Sequence, residues 1–174
     1  MFFVDEAGSH IGMIPRYGRA PSGTRVHLRA PRNRGTVLTM IGALTADGLE
    51  AMMTIRGGTS GDVFFAFIEH VLAPLLKDGD LVVLDNLAAH RDARVKAAVE
   101  AKGARLVFTP PYSPEFNPIE LAWNKLKNYL RRQGCRTVDA LNNAIAAAMD
   151  LITAADAEAW IAHAGYRDQP ARSG

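Results

Sequence analysis

"DLVVLDN", residues 80–86, decides the fold. Leu81, Val82, Val83 and Leu84 run on without polar alternation. Such a run reads as a strand covered on both faces, as parallel strands joined by helices are. It stops at Asp85. Open α/β sheets place their chemistry at the carboxyl ends of strands, so Asp85 is the first candidate site residue.

Working outward, "RDARVKAAVEAKG" (91–103) predicts a short helix closed by Gly103, and "ARLVFTP" (104–110) a second buried strand. Upstream, "SGDVFFAFIEHVLAPLL" (60–76) repeats Phe64, Phe67/Ile68, Val71/Leu72 and Leu75 at helical spacing, with Ser60 as N-cap. "TVLTMIGALTADGLEAMMTIRGG" (36–58) holds two β-rich runs about Asp47-Gly48, a hairpin signal. "FFVDEAG" (2–8) is a short strand ending near Asp5. The order is strand, hairpin, helix, strand, helix, strand, helix, helix. An antiparallel hairpin beside helix-linked parallel strands makes an α/β fold with a mixed sheet flanked by helices.

The chain has 174 residues, which suits one domain. We place it at 1–165, with "YRDQPARSG" (166–174) as a flexible tail and 7–35 as an inserted basic loop. Hydrophobic residues make up 48%, enough for a core. The net charge of +2 does not by itself indicate nucleic acid. Its distribution says more. Arg16, Arg19, Arg25, Arg29, Arg32 and Arg34 lie between Pro15 and Gly35 with no acid among them. Lys125, Lys127, Arg131, Arg132 and Arg136 form a second cluster. The single cysteine, Cys135, excludes an intrachain disulfide and a cysteine-rich zinc site. No apolar run approaches the roughly 20 residues of a membrane span, so no membrane partner is expected.

"TPPYSPEFNPIELAW" (109–123) holds four prolines and leads into a helix expected over 118–132. Asn117 is a good N-cap and Pro118 fits the first helical position. Glu120 then falls where a capping-box partner sits, and capping is its bland reading. At about 100° per residue, Glu120, Asn124, Lys127 and Arg131 share one face. Ile119, Trp123, Leu126 and Leu130 form an apolar stripe, which makes Trp123 a core residue. A further amphipathic helix spans 137–152.

Asp5, Asp85 and Glu120 are three oxygen donors with no Cys/His cluster beside them, a set that suits hard cations, Mg²⁺ or Mn²⁺. Chance also puts some of 18 acids at strand ends. Thirty-four residues separate Asp85 from Glu120. Glu6 adjoins Asp5, but strand side chains alternate, so it faces away from any site Asp5 serves. No serine or cysteine sits at a sharp turn motif to act as a hydrolase nucleophile.

"FFVDEAG", "LVVLDNLAAH" and "TPPYSPEFNPIELAWNKLK" together resemble the three catalytic blocks of mariner-like transposases, in particular their bacterial insertion-sequence branch. The likeness runs from residue 2 to about residue 132. It implies an RNase H-like fold and a DDE triad of Asp5, Asp85 and Glu120 holding two Mg²⁺ or Mn²⁺ ions. It also implies cleavage and strand transfer of double-stranded DNA at transposon ends, a homodimer, and a cytoplasmic, nucleoid-associated location. Asn86, His90 and Asn117 are candidate supporting residues. His90 would bond a ligand carboxylate, touch a scissile phosphate, or only bond backbone at a helix start. Arg16, Arg19, Arg25, Lys127 and Arg131 are candidate DNA contacts. Family members carry helix-turn-helix modules before the first aspartate; this chain starts four residues before it. A shortened, frameshift-split or decayed transposase is expected. An inert DNA-binding or dimerisation fragment, or another RNase H-like nuclease, is the alternative.

Overall fold

The structure, a computed structural model, describes residues 1–111 and 113–166. Five strands form one sheet: β1 (Phe2–His10), β2 (Val37–Thr45), β3 (Gly48–Arg56), β4 (Leu81–Leu84) and β5 (Arg105–Phe108). Their spatial order is β3-β2-β1-β4-β5. β1, β2 and β3 are antiparallel neighbours, whereas β4 pairs parallel with both β1 and β5. This is the mixed sheet expected from the sequence. The hairpin turn is made by Ala46 and Asp47, and Gly48 opens β3 with φ 125°.

Among the described residues five α-helices cover the sheet: α1 (Gly61–Phe67), α2 (Ala93–Glu100), α3 (Ile119–Gln133), α4 (Val138–Met149) and α5 (Ala154–His163). Alternation along β1 divides the core. Phe3 and Ala7 face Ile119, Trp123, Leu126 and Leu130 of α3, all buried as the stripe predicts. Phe2 and Val4 face Phe64, Phe67, Val95 and Val99 on the α1–α2 side.

Several boundaries differ from expectation. β1 runs to His10, so the basic loop is 11–36 rather than 7–35, and Asp5 lies within the strand. The reason is that β2 pairs with β1 as far as His10, while pairing to β4 is recorded only at Phe2 and Phe3. The expected helix 60–76 is α1 capped by Ser60, then a π turn and a 3-10 turn containing Pro74. Proline lacks the amide that would continue an α-helix.

β5 is not a buried strand. It is the sheet edge, and Arg105, Val107 and Phe108 are exposed. An apolar run reports local composition, not position in the strand order. α5 was not foreseen, although Thr153 and Asp156 form its capping box. Tyr166, assigned above to the tail, packs edge-on against Phe3 and donates a hydrogen bond to the Phe116 carbonyl at 2.9 Å. The rest of that tail, 167–174, lies outside the described residues.

Candidate active site

The β1–β4 register pairs Phe2 with Val82 and Phe3 with Val83. Continued two residues, it sets Asp5 level with Asp85. Asp85 follows the last residue of β4, so both aspartates stand where β4 leaves the sheet. Glu120 approaches from the first turn of α3. All three line one cleft of about 410 Å³, with Asn86, Arg91 and Asn117 among its other walls.

Each carboxylate sits in a different environment. Asp5 is buried, and its Oδ2 accepts a hydrogen bond from Trp123 Nε1 at 3.1 Å. Burial raises its pKa to about 7; the charges of Glu120 and Asp85 push the same way, while its hydrogen bonds oppose. Asp85 is partly exposed, and its Oδ1 accepts from the Leu87 amide at 3.0 Å. His90 Nδ1 lies 2.5 Å from that same oxygen, and His90 Nε2 lies 3.3 Å from Glu6 Oε2. Neither oxygen sits in line with a ring N–H, so these are charge contacts bent away from hydrogen-bond geometry. Burial would lower the His90 pKa, but the two carboxylates outweigh it and raise it. The imidazole is fully buried and stacks on Phe64, with ring centroids 4.1 Å apart.

The approach to Glu120 differs from the expected cap. Pro118, not Asn117, holds the N-cap position of α3, and no side chain caps it. Glu120 is therefore the second helical residue and makes no capping-box bond. The Glu120 amide instead bonds the Asn117 carbonyl at 3.1 Å. Asn117 is buried, and its side-chain oxygen has no partner. The 3-10 turn Pro114–Phe116 leads into Asn117, whose amide bonds the Pro114 carbonyl at 2.9 Å.

Residues 1–142 match the sequence family described as DDE superfamily endonuclease. This chain belongs to the DDE superfamily endonucleases. The fold agrees. The Mos1 mariner paired-end complex with Mn superposes with a TM-score of 0.68 at 11% identity, covering 94% of this chain and 51% of that one. The Mos1 strand transfer complex gives 0.67 at 11% identity, over 94% and 50%. The Mos1 catalytic domain with Raltegravir and Mg gives 0.64 at 10% identity, over 92% and 76%. The chain thus spans about half the length of the Mos1 transposases that share its fold. No curated protein sequence matches it significantly.

Within this DDE domain, three site features escape sequence reasoning. Trp123 is core as expected, but its indole edge also holds Asp5. Glu6 points away from the cleft as expected, yet reaches His90. Arg91 lines the cleft and was not singled out. Only the strand alternation at Glu6 hinted at any of this.

The basic residues divide by task. Arg136 donates to the Ile11 and Met13 carbonyls, both at 3.1 Å, and pins the start of the basic loop to the end of α3. Lys125 is bound to Asp156 at 2.6 Å. Arg131 has its pKa lowered by burial and then by Arg16, and His10 feels both Arg34 and Arg131. The loop and α3 therefore bring several cations into one field. Arg16, Arg19 and Arg25 are exposed, and Lys127 is half-buried. Among the described residues no helix is long and apolar enough to cross a membrane.

Proposed function

We propose that this DDE domain is the catalytic domain of a transposase of the mariner-like bacterial insertion-sequence branch, cutting DNA at transposon ends and joining it to target DNA. The observation that carries this reading is the meeting of Asp5, Asp85 and Glu120 in one cleft. The Mos1 structures bind Mn or Mg and occur as paired-end and strand transfer complexes, and they lend the reading its substrate.

A divalent cation suits the donors present. All three acids are hard oxygen ligands. Asn117 lines the same cleft, and its side-chain oxygen is buried without a partner. Burial, with the Glu120 and Asp85 charges beside it, raises the Asp5 pKa. Among the described residues no three His, Cys, Asp or Glu side chains gather tightly enough to enclose one ion. The transposase likeness implies a pair of ions at this triad rather than one. Asp5, Asp85 and Glu120 would hold the pair, which supplies an activated water and neutralises the leaving oxygen in an in-line displacement.

The chain's own residues position. Trp123 and the Leu87 amide each engage one carboxylate oxygen of an aspartate. His90 lies beside Asp85, and its protonated form would offset that carboxylate's charge. Water oxygen bonds to phosphorus as the P–O3′ bond breaks, releasing a 3′-hydroxyl. That hydroxyl then attacks a target phosphate, displacing another 3′-oxygen. Arg16, Arg19, Arg25, Lys127 and Arg131 neutralise backbone phosphates outside the cleft. A homodimer would hold two transposon ends.

The test is Mn²⁺-dependent nicking of duplex DNA by the wild type and by Asp85→Asn, with circular dichroism to check folding. Nicking lost in a folded Asp85→Asn supports the triad; equal nicking overturns it. Faster cutting of RNA–DNA hybrids than of duplex DNA would point to another RNase H-like nuclease. Absence of Mn²⁺ binding at millimolar concentration would point to an inert fragment.

A further inference from the structure

Arg91 ends the 3-10 turn Ala88–Arg91 that follows β4. Its Nη2 and Nε lie 2.7 and 3.2 Å from Asn86 Oδ1. Asn86 Nδ2 in turn donates to the Thr109 carbonyl at 2.6 Å. One asparagine thereby bridges the ends of β4 and β5 and holds the guanidinium against the wall of the cleft that contains Asp85 and Glu120.

Two contrasts give this contact meaning. Arg94, three residues on, is neutralised by Asp62 and Asp92. Arg91 has no carboxylate partner among the described residues. It is also the only cationic side chain among the described residues that line the cleft. A guanidinium carries five N–H donors. Asn86 engages the Nε edge through a neutral oxygen, which leaves the Nη1–Nη2 edge and the whole charge free. That edge matches two non-bridging phosphate oxygens.

We propose that Arg91, oriented by Asn86, is the phosphate seat of the cleft, binding a phosphodiester of the nucleic-acid strand that lies across the carboxylates. The proposal rests on the function argued above. Three carboxylates repel a polyanion, and Arg91 offsets that repulsion beside them. It also limits how the strand can lie, because a fork held at both Asn86 and phosphate fixes direction as well as distance. Asn86 is a positioning residue in this scheme.

The test compares wild type, Arg91→Ala, Arg91→Lys and Asn86→Ala. Duplex DNA affinity is measured by fluorescence anisotropy with Ca²⁺ across a salt series. Mn²⁺ binding is measured by calorimetry without DNA, and Mn²⁺-dependent nicking separately. One lost phosphate contact lowers the slope of log K against log salt by about 0.9. Arg91→Ala is expected to show that drop, with nicking reduced about 10- to 100-fold, and with Mn²⁺ binding and melting temperature near wild type. Arg91→Lys is expected to restore the salt slope but only part of the nicking, because a point charge lacks the fork. Asn86→Ala is expected to keep the slope and lose nicking. An Arg91→Ala protein with the wild-type salt slope overturns the proposal while Mn²⁺ binding still upholds the carboxylate site. A wild type that binds no Mn²⁺ overturns the metal reading instead, and the salt slope alone then decides on Arg91.

Discussion

Trp123 donates its indole hydrogen to Asp5 at 3.1 Å, joining the first strand to a helix 118 residues later. The indole reaches that far because Gly42, the cross-strand partner of Asp5, has no side chain. A Cβ at Gly42 would lie 2.8 Å from Trp123 Cη2. Three residues on three elements thus place one carboxylate.

Trp123→Phe keeps one aromatic ring but removes the donor and part of the buried volume. The buried carboxylate then loses a partner, which costs about 1–3 kcal/mol when it is ionised. Chemical denaturation at pH 8 is expected to show that loss. Calorimetry is expected to show weaker Mn²⁺ binding, because Asp5 resists ionisation more strongly.

Gly42→Ala tests the space rather than the bond. The new methyl must displace the indole or the sheet, at about 1–3 kcal/mol. Nicking should fall further than stability does, since the displaced indole no longer holds Asp5. Wild-type nicking in a destabilised Gly42→Ala would show that the indole position is irrelevant to the site.

The pH dependence follows from Asp5, whose pKa rises from 3.8 to about 7 on folding. Between those values the folded chain binds more protons than the unfolded chain, so stability falls as pH rises. The Asp5 share is at most about 4 kcal/mol. His90, also raised, acts in the same direction, with its stabilisation present below its unfolded pKa and lost as pH rises through the folded one. Melting temperatures in EDTA are expected to fall from pH 5 to pH 8, and Asp5→Asn to flatten much of the fall. Mn²⁺ should bind more tightly as pH rises, because protons compete for Asp5.

His90 sits between Asp85 and Glu6 with its ring on Phe64. His90→Ala opens a cavity and leaves Glu6 without its counter-charge, at about 3 kcal/mol or more. Glu6→Gln removes one charge and little volume. A smaller stability loss is expected there, with Mn²⁺ affinity close to wild type, since Glu6 faces away from the cleft.

Arg16 and Arg131 repel each other across the basic loop and α3. Replacing both by alanine is expected to weaken duplex DNA binding and to reduce the salt slope by about 1.8 if each meets a phosphate. An unchanged slope would remove this face from the DNA interface.

Local signals located much of this protein. Ser60 caps α1 where its hydroxyl allows, and the apolar stripe of α3 is buried as its spacing requires. The three acids could be nominated from the sequence because motif residues and their spacing are properties of the chain, and the fold brings them to one cleft. The cap expected at Asn117 does not form, because a 3-10 turn ends there and Pro118 takes the N-cap position with no side-chain bond. The Asn86–Arg91 contact had no linear signal either, since it depends on the Thr109 carbonyl of the next strand.

The sequence by itself determined the element types and the candidate acids, because periodicity, caps and prolines act within a few residues. Only the tertiary structure decided that β5 is an edge, that Asp5 lies inside β1, that Trp123 meets Asp5, that Glu6 meets His90 and that Arg91 lines the cleft. Each of those depends on which strands and helices become neighbours. That choice is made by packing between residues far apart in the chain, where no local preference reaches.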